Sequence, residues 1–122
     1  EKVDRGLLDA MQTRATSTVE RFKPQEVANL LWALATMGEW ADRGLMQALQ
    51  RRATVTADKF DPQNVSNLLW ALAKMGETAD RGLLEAMQRR ATVTAGVCHT
   101  QGIANILWAL ATMEERANRG AE

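Results

Sequence analysis

Apolar positions recur at three- and four-residue intervals through most of the chain, and the segments alternate between two patterns. In the first, RGLLDAMQTRA places Leu7, Ala10, Met11 and Ala15 at i, i+3, i+4 and i+8, with arginine and glutamine elsewhere. That spacing predicts an amphipathic helix of about three to four turns. The same pattern returns as RGLMQALQRRA and RGLLEAMQRRA. Asp4, Asp42 and Asp80 stand at its start, where a short carboxylate caps free backbone N–H groups and suits the positive end of the helix dipole. Ala-Thr-Val-Thr at 53–56 and 91–94 follows, lowers helix propensity through β-branching and predicts a loop.

The second pattern puts Val27, Leu30, Leu31, Leu34 and Met37 on one broad face of a helical wheel. Gln25, Asn29, Trp32 and Thr36 fall opposite, flanked by Ala28 and Ala35. Pro24 and Pro62 suit the first helical position, Asp61 is a cap, and Gly38 and Gly76 supply the left-handed residue that ends a helix. The last occurrence departs from this, with Thr100 for Pro and Glu114 for Gly. Thr100 is expected to cap, and Glu114 with Glu115 predicts an altered turn or a helix that runs on. A helix with a large aromatic opposite its main apolar face is expected to be packed on more than one side.

Trp32, Trp70 and Trp108 are 38 residues apart, and Gly6, Gly44, Gly82 and Gly120 keep the same period. The chain therefore divides into copies at 1–38, 39–76 and 77–114, with 115–122 the start of a fourth. Two helices alone cannot bury both apolar faces, whereas stacked pairs can. The expected fold is all-α, a right-handed α-solenoid of stacked helical hairpins forming one continuous domain. The chain opens on Glu1 and ends in ERANRGAE, which restarts the pattern, so a stretch of a longer array is expected, with any targeting segment outside it. Fifteen basic residues balance fifteen acidic ones, so net charge names no partner, although a basic stripe can hide in a neutral total. One cysteine, Cys98, excludes an intramolecular disulfide. No apolar run approaches the roughly 20 residues that cross a bilayer, and no membrane partner is expected.

PQEVANLLWALATMG and PQNVSNLLWALAKMG, at a period of 38, resemble the octotricopeptide repeat over essentially the whole chain. The third copy, HTQGIANILWALATME, lacks the Pro and the terminal Gly. The resemblance implies helical hairpins that bind single-stranded RNA at about one nucleotide per repeat and act in post-transcriptional control. It also implies an organelle, chloroplast or mitochondrion, or a secreted bacterial effector. Asn and Trp together resemble, less closely, the groove-lining helix of armadillo repeats, where they hold an extended peptide. A protein-interaction solenoid is thus the alternative, and a structural spacer a third reading. End-to-end stacking through uncapped faces is a further expected contact.

Comparing copies isolates the positions that change chemical kind. These are Lys23, Asp61 and His99 before the second helix and Glu26, Asn64 and Gly102 at its third position, candidates for reading RNA bases. Drift of solvated helix caps and loop tips is the competing account, and it is slightly favoured. Gln25, Gln63 and Gln101, with Asn29, Asn67 and Asn105, are invariant among the copies and form a candidate groove ladder. Asn is a poor helix-interior residue, so a fixed hydrogen-bond task is expected, and a structural ladder between copies is favoured over ligand contact. Trp32, Trp70 and Trp108 can stack bases, but packing between copies is favoured. Trp40 is a lone aromatic at a polar position. Arg14, Arg51, Arg52, Arg89 and Arg90 are candidate phosphate contacts, and Arg5, Arg43, Arg81 and Arg119 recur beside aspartate or asparagine. No nucleophile motif or phosphate-binding glycine loop is present, and Cys98 beside His99 is poor geometry for a metal pair. Neither an enzyme, a cofactor nor a metal is expected.

Overall fold

The computed structural model describes residues 3–121. Its helices are α1 (Arg5–Thr18), α2 (Pro24–Met37), α3 (Arg43–Val55), α4 (Pro62–Met75), α5 (Arg81–Val93) and α6 (Thr100–Ala121), and no strand occurs among the described residues. The first helix of each copy does not give way to an irregular loop at the Ala-Thr-Val-Thr stretch. Helix continues through Val55 and Val93, and 3-10 turns follow at Ala57–Lys59 and Ala95–Val97, with a like turn at Val19–Arg21. The threonines explain the change. Thr56 Oγ1 donates to the Arg52 carbonyl (2.8 Å) and Thr94 Oγ1 to that of Arg90 (2.9 Å), doubling the bond that each carbonyl accepts from the same threonine's N–H as the chain tightens to i→i+3 bonding.

The helix ends follow local chemistry. Asp61 accepts from the Asn64 N–H (2.7 Å), and Asp4 from that of Leu7 (2.9 Å). Asp42 and Asp80 make no side-chain cap bond. Thr100 is the first residue of α6 and lies inside the helix; the bond that opens the turn runs from the Ile103 N–H to the His99 carbonyl (3.0 Å). Gly38 and Gly76 have φ of 72° and 73°. There the Glu39 N–H returns to Leu34 O (2.9 Å) and that of Glu77 to Leu72 O (3.0 Å), closing α2 and α4. Glu114, whose Cβ disfavours the left-handed region, lets α6 run on to Ala121. Arg116 then donates from Nη1 to Ala73 O (2.6 Å), at the carbonyl end of α4.

The closest helix packing is within a row of second helices, α2 on α4 and α4 on α6, while α1, α3 and α5 form a second, more sparsely touching row. The central helix α4 is packed on several sides. Val65, Leu68, Leu69 and Leu72 are buried, and so are Ser66, Ala71 and Ala73 away from its main apolar face. Phe60, fully buried after its 3-10 turn, joins this core. Burial differs between copies at like positions. Leu7 and Met11 of the expected α1 face are about half exposed, whereas their counterparts Leu45 and Leu49 in α3 are fully buried. The α1 face that is buried runs through Leu8, Gln12 and Ala15, because the other face needs a preceding copy to cover it.

Two glutamines join the copies. Gln12 donates from Nε2 to Trp40 O (3.1 Å) and accepts at Oε1 from the Asp42 N–H (2.8 Å). Gln50 repeats this with Thr78 O (3.4 Å) and the Asp80 N–H (2.8 Å). Both are buried, whereas Gln88, at the same position in the third copy, is exposed and reaches only Leu84 O within its own helix (3.3 Å). Gln50→Ala is therefore expected to lower stability by about 1–3 kcal/mol, since it orphans backbone groups of the next turn. Gln88→Ala is expected to change it by less than about 0.5 kcal/mol. Urea unfolding followed by circular dichroism at micromolar protein compares the two.

Candidate nucleic-acid interface

Because α2, α4 and α6 lie side by side, like positions on their outer face line up across the row. That face carries Gln25, Asn29, Trp32 and Thr36 on α2. On α4 it carries Gln63, Asn67, Trp70 and Lys74, and on α6 Gln101, Asn105, Trp108 and Thr112. Four positions at i, i+4, i+7 and i+11 span only about 60° of a helix, so each helix contributes one narrow strip. The three glutamines and Asn29 are exposed, and Asn67 and Asn105 are half-buried.

Two expectations change here. Hydrogen bonds between copies do not use Asn29, Asn67 or Asn105 among the described residues; they run through first-helix residues such as Gln12, Gln50, Arg52, Arg90, Arg5 and Arg43. The structural task assigned to asparagine thus belongs to first-helix residues, leaving the amides of the strip facing outward. Two of the three tryptophans are not interior packing either. Trp32 and Trp108 are 46% and 45% exposed, and only the central Trp70 is packed against the core as a partly buried ring. Small residues explain this, since Ala28, Ala35, Ala71 and Ala73 fill the space between second helices and hold them too close for a ring to enter. Trp40 is 60% exposed in the turn between α2 and α3.

The helix starts border this strip. Lys23, Asp61 and His99 are exposed immediately before the helices. Glu26 is exposed and accepts from the Lys23 N–H at Oε1 (2.9 Å), so its carboxylate closes the helix end. Asn64 and Gly102 are half-buried. A Cβ built on Gly102 would stand 3.1 Å from Cys98 Sγ and 4.0 Å from Ser66 Cβ, which puts this third position at the seam with the preceding copy.

The arginines separate by what they contact. Arg52 and Arg90 donate from Nε to Phe22 O (2.8 Å) and Phe60 O (2.7 Å), tying each first helix to the preceding copy. Arg51 and Arg89 are exposed on the side of α3 and α5 turned away from buried Leu49 and Met87, so they do not share a surface with the tryptophan strip. Arg14 is exposed, and its guanidinium makes no hydrogen bond among the described residues. The DRG arginines pair across copies and not with the adjacent aspartate. Arg5 grips Glu39 through both nitrogens (3.0 and 2.9 Å), and Arg43 bonds Glu77 (2.7 Å). The hydrogen bond and charge of Glu39 hold the Arg5 guanidinium above its ordinary pKa. After the third copy Glu115, the counterpart of Glu39 and Glu77, is on the continuing α6 and pairs with Arg119, while Arg81 turns to Glu85 (3.4 Å).

Lys74 was missed by the comparison of helix starts. It is an exposed cation on the strip where the other copies have threonine, and the signal was the same change of chemical kind at one register position. Among the described residues no group of His, Cys, Asp and Glu could hold a metal ion, and no helix is long and apolar enough to cross a membrane.

Residues 3–118 match the model of the family described as RNA-editing substrate-binding complex 6 protein (RESC6). The chain belongs to this family. A search of curated proteins finds no match. The family description supports an RNA-associated helical protein, the coarser part of the octotricopeptide resemblance.

The half-exposed and the packed tryptophans separate on stability. Trp70→Ala is expected to cost about 2–4 kcal/mol, against about 1–2 kcal/mol for Trp32→Ala or Trp108→Ala, since less area leaves water on folding at the outer positions. Urea midpoints of the three variants check the order.

Proposed function

We propose that this member of the RNA-editing substrate-binding complex 6 family binds single-stranded RNA along the face of α2, α4 and α6. In this reading 1–38, 39–76 and 77–114 are octotricopeptide-like repeats of a right-handed solenoid, with the closely packed second helices on its concave side. The observation that carries the reading is the outward strip of one tryptophan, one asparagine and one glutamine per helix, in register on three adjacent helices. Every base has a face that stacks on an indole, and every base edge offers donors and acceptors to a side-chain amide. Helices about 8–10 Å apart suit bases splayed out one per copy. Lys23, Asp61 and His99, with Glu26, Asn64 and Gly102, border each step and differ between copies, which is what base discrimination needs. Lys74, Lys23 and Arg14 are the cations proposed to meet phosphates. The resemblance extends the proposal to post-transcriptional work on organellar transcripts, without catalysis by this chain.

An extended peptide is the second reading, favoured by the scarcity of cations on the strip, where Lys74 is the one charged side chain among the twelve positions. Asparagine and tryptophan there would hold peptide backbone and wall its side chains. The family's RNA-editing description favours RNA.

Selection from a randomised single-stranded RNA pool at two salt concentrations tests the proposal. Enrichment of a short motif is expected, with Trp32→Ala and Trp108→Ala each losing about 1–3 kcal/mol of binding. Asn64→Asp is expected to move the preference at one position, because it replaces an amide donor with a second acceptor. No binding at low salt, together with enrichment from a peptide library, would move the site to the second reading.

A further inference from the structure

α3 and α5 touch far more sparsely than the second helices beside them, and an open groove of about 480 Å³ runs between the two. α5 lines it with the small residues Gly82 and Ala86, and a Cβ built on Gly82 would meet nothing within 4 Å. Val55 and Val93, the last residues of α3 and α5, also line it. Each is 74% exposed, the highest value for a large apolar side chain among the described residues. Further helix pairs at either end of the array do not cover them, because α3 already touches both α1 and α5 and Val55 is still open. Nor does the fold call for valine at this position. β-branching lowers helix propensity, and the first copy has Ser17 in the same place. Two apolar side chains facing water across one groove mark a surface that binds something.

Charge is uneven at the same place. Arg51, Arg52, Arg89 and Arg90 stand near the ends of α3 and α5, and none of them forms an ion pair among the described residues. The acids of the neighbouring 3-10 turns, Glu20 and Asp58, are followed by Arg21 and Lys59, so they leave the four arginines unbalanced. A chain of zero net charge thus has one basic edge, and it adjoins the exposed valines.

We propose that this groove docks an acidic amphipathic helix of a partner protein, its aliphatic side chains between Val55 and Val93 and its carboxylates toward Arg89 and Arg90. Charge and shape both select that occupant. Arg90 uses only Nε on Phe60 O, which leaves its terminal nitrogens for a carboxylate, and the Arg89 side chain is exposed. The walls are two helices of 13 residues, so a helix about 20 Å long lies along them with its side-chain ridge in the furrow. RNA fits less well, since no aromatic ring or side-chain amide lines the groove to stack on a base or read its edge, and Asp58 would face a phosphate. A bilayer fits less well too, because it takes a projecting apolar face and these groups line a groove. The site is on the first-helix row and is independent of what the strip on α2, α4 and α6 binds.

Selection from a displayed library of random peptides, with the 122-residue chain as bait, tests this. Enriched peptides are expected to place aliphatic residues at i and i+3 or i+4 and to carry an excess of Asp and Glu. Val55→Ser with Val93→Ser copies the serine of the first copy, so circular dichroism is expected to be unchanged. The same double variant is expected to bind the selected peptides about tenfold more weakly. A selection repeated on Arg89→Glu is expected to favour Lys and Arg over acids, and Trp32→Ala is expected to bind the original peptides as the wild type does. Three results overturn the proposal: no enriched peptide, enriched peptides without excess acid, or peptides that bind the double variant as tightly as the wild type. So does binding of poly(U) or of phosphatidylserine vesicles that the double variant loses, since it assigns the groove to RNA or to a membrane surface.

Discussion

The backbone N–H and C=O groups of the turn between helix pairs need partners before the helices beside it can pack, and that requirement organises the molecule. Gln12 and Gln50 meet it with one side chain each, because a primary amide both donates and accepts. A glutamate in the same place offers only acceptors at neutral pH, and a lysine only donors. Holding two backbone atoms two residues apart also fixes the position of the turn to the residue. The following first helix begins at a set place, the next second helix falls beside the last, and the tryptophans, asparagines and glutamines of three helices reach one face in line. A function assigned to that strip therefore depends on glutamines that are not part of it.

Helix boundaries were legible where local chemistry alone sets them. Pro24, Pro62, Asp61, Gly38 and Gly76 act within one turn, and Glu114 in place of glycine pointed to an altered turn or a helix that runs on, of which the structure has the second. Residues whose role needs a neighbouring copy were harder to read. Gln12 and Asn29 are both polar residues repeated on helical faces, and a wheel gives no reason to prefer one as the bridge between copies. What decides is that Gln12 is on the core side of α1 beside Leu8 and Ala15, where an unpaired amide would be costly. Trp32 was read as packing for a related reason. A ring on a wheel invites burial, but the alanines of α2 and α4 bring the second helices too close to admit it. The DRG arginines stand beside aspartates in the sequence, whereas the repeat geometry brings Glu39 to Arg5 and Glu77 to Arg43 from 34 residues away.

The charge balance takes on a different meaning once these partners are assigned. Arg5 with Glu39 and Arg43 with Glu77 link copies, Arg52 and Arg90 hold turn carbonyls, and Arg116 closes the end of α4. Much of the arginine content is thus committed to joining helix pairs, so equal numbers of acids and bases describe the scaffold more than any ligand. For a strand on the outer strip this leaves stacking and amide contacts as the main attraction. Each phosphate met by a cation adds a salt-dependent slope of about −0.7 for single strands, and few cations reach the strip. Binding through stacking is modest per base and survives salt, so a useful affinity has to come from adding copies in register. The amide clamp supplies that register.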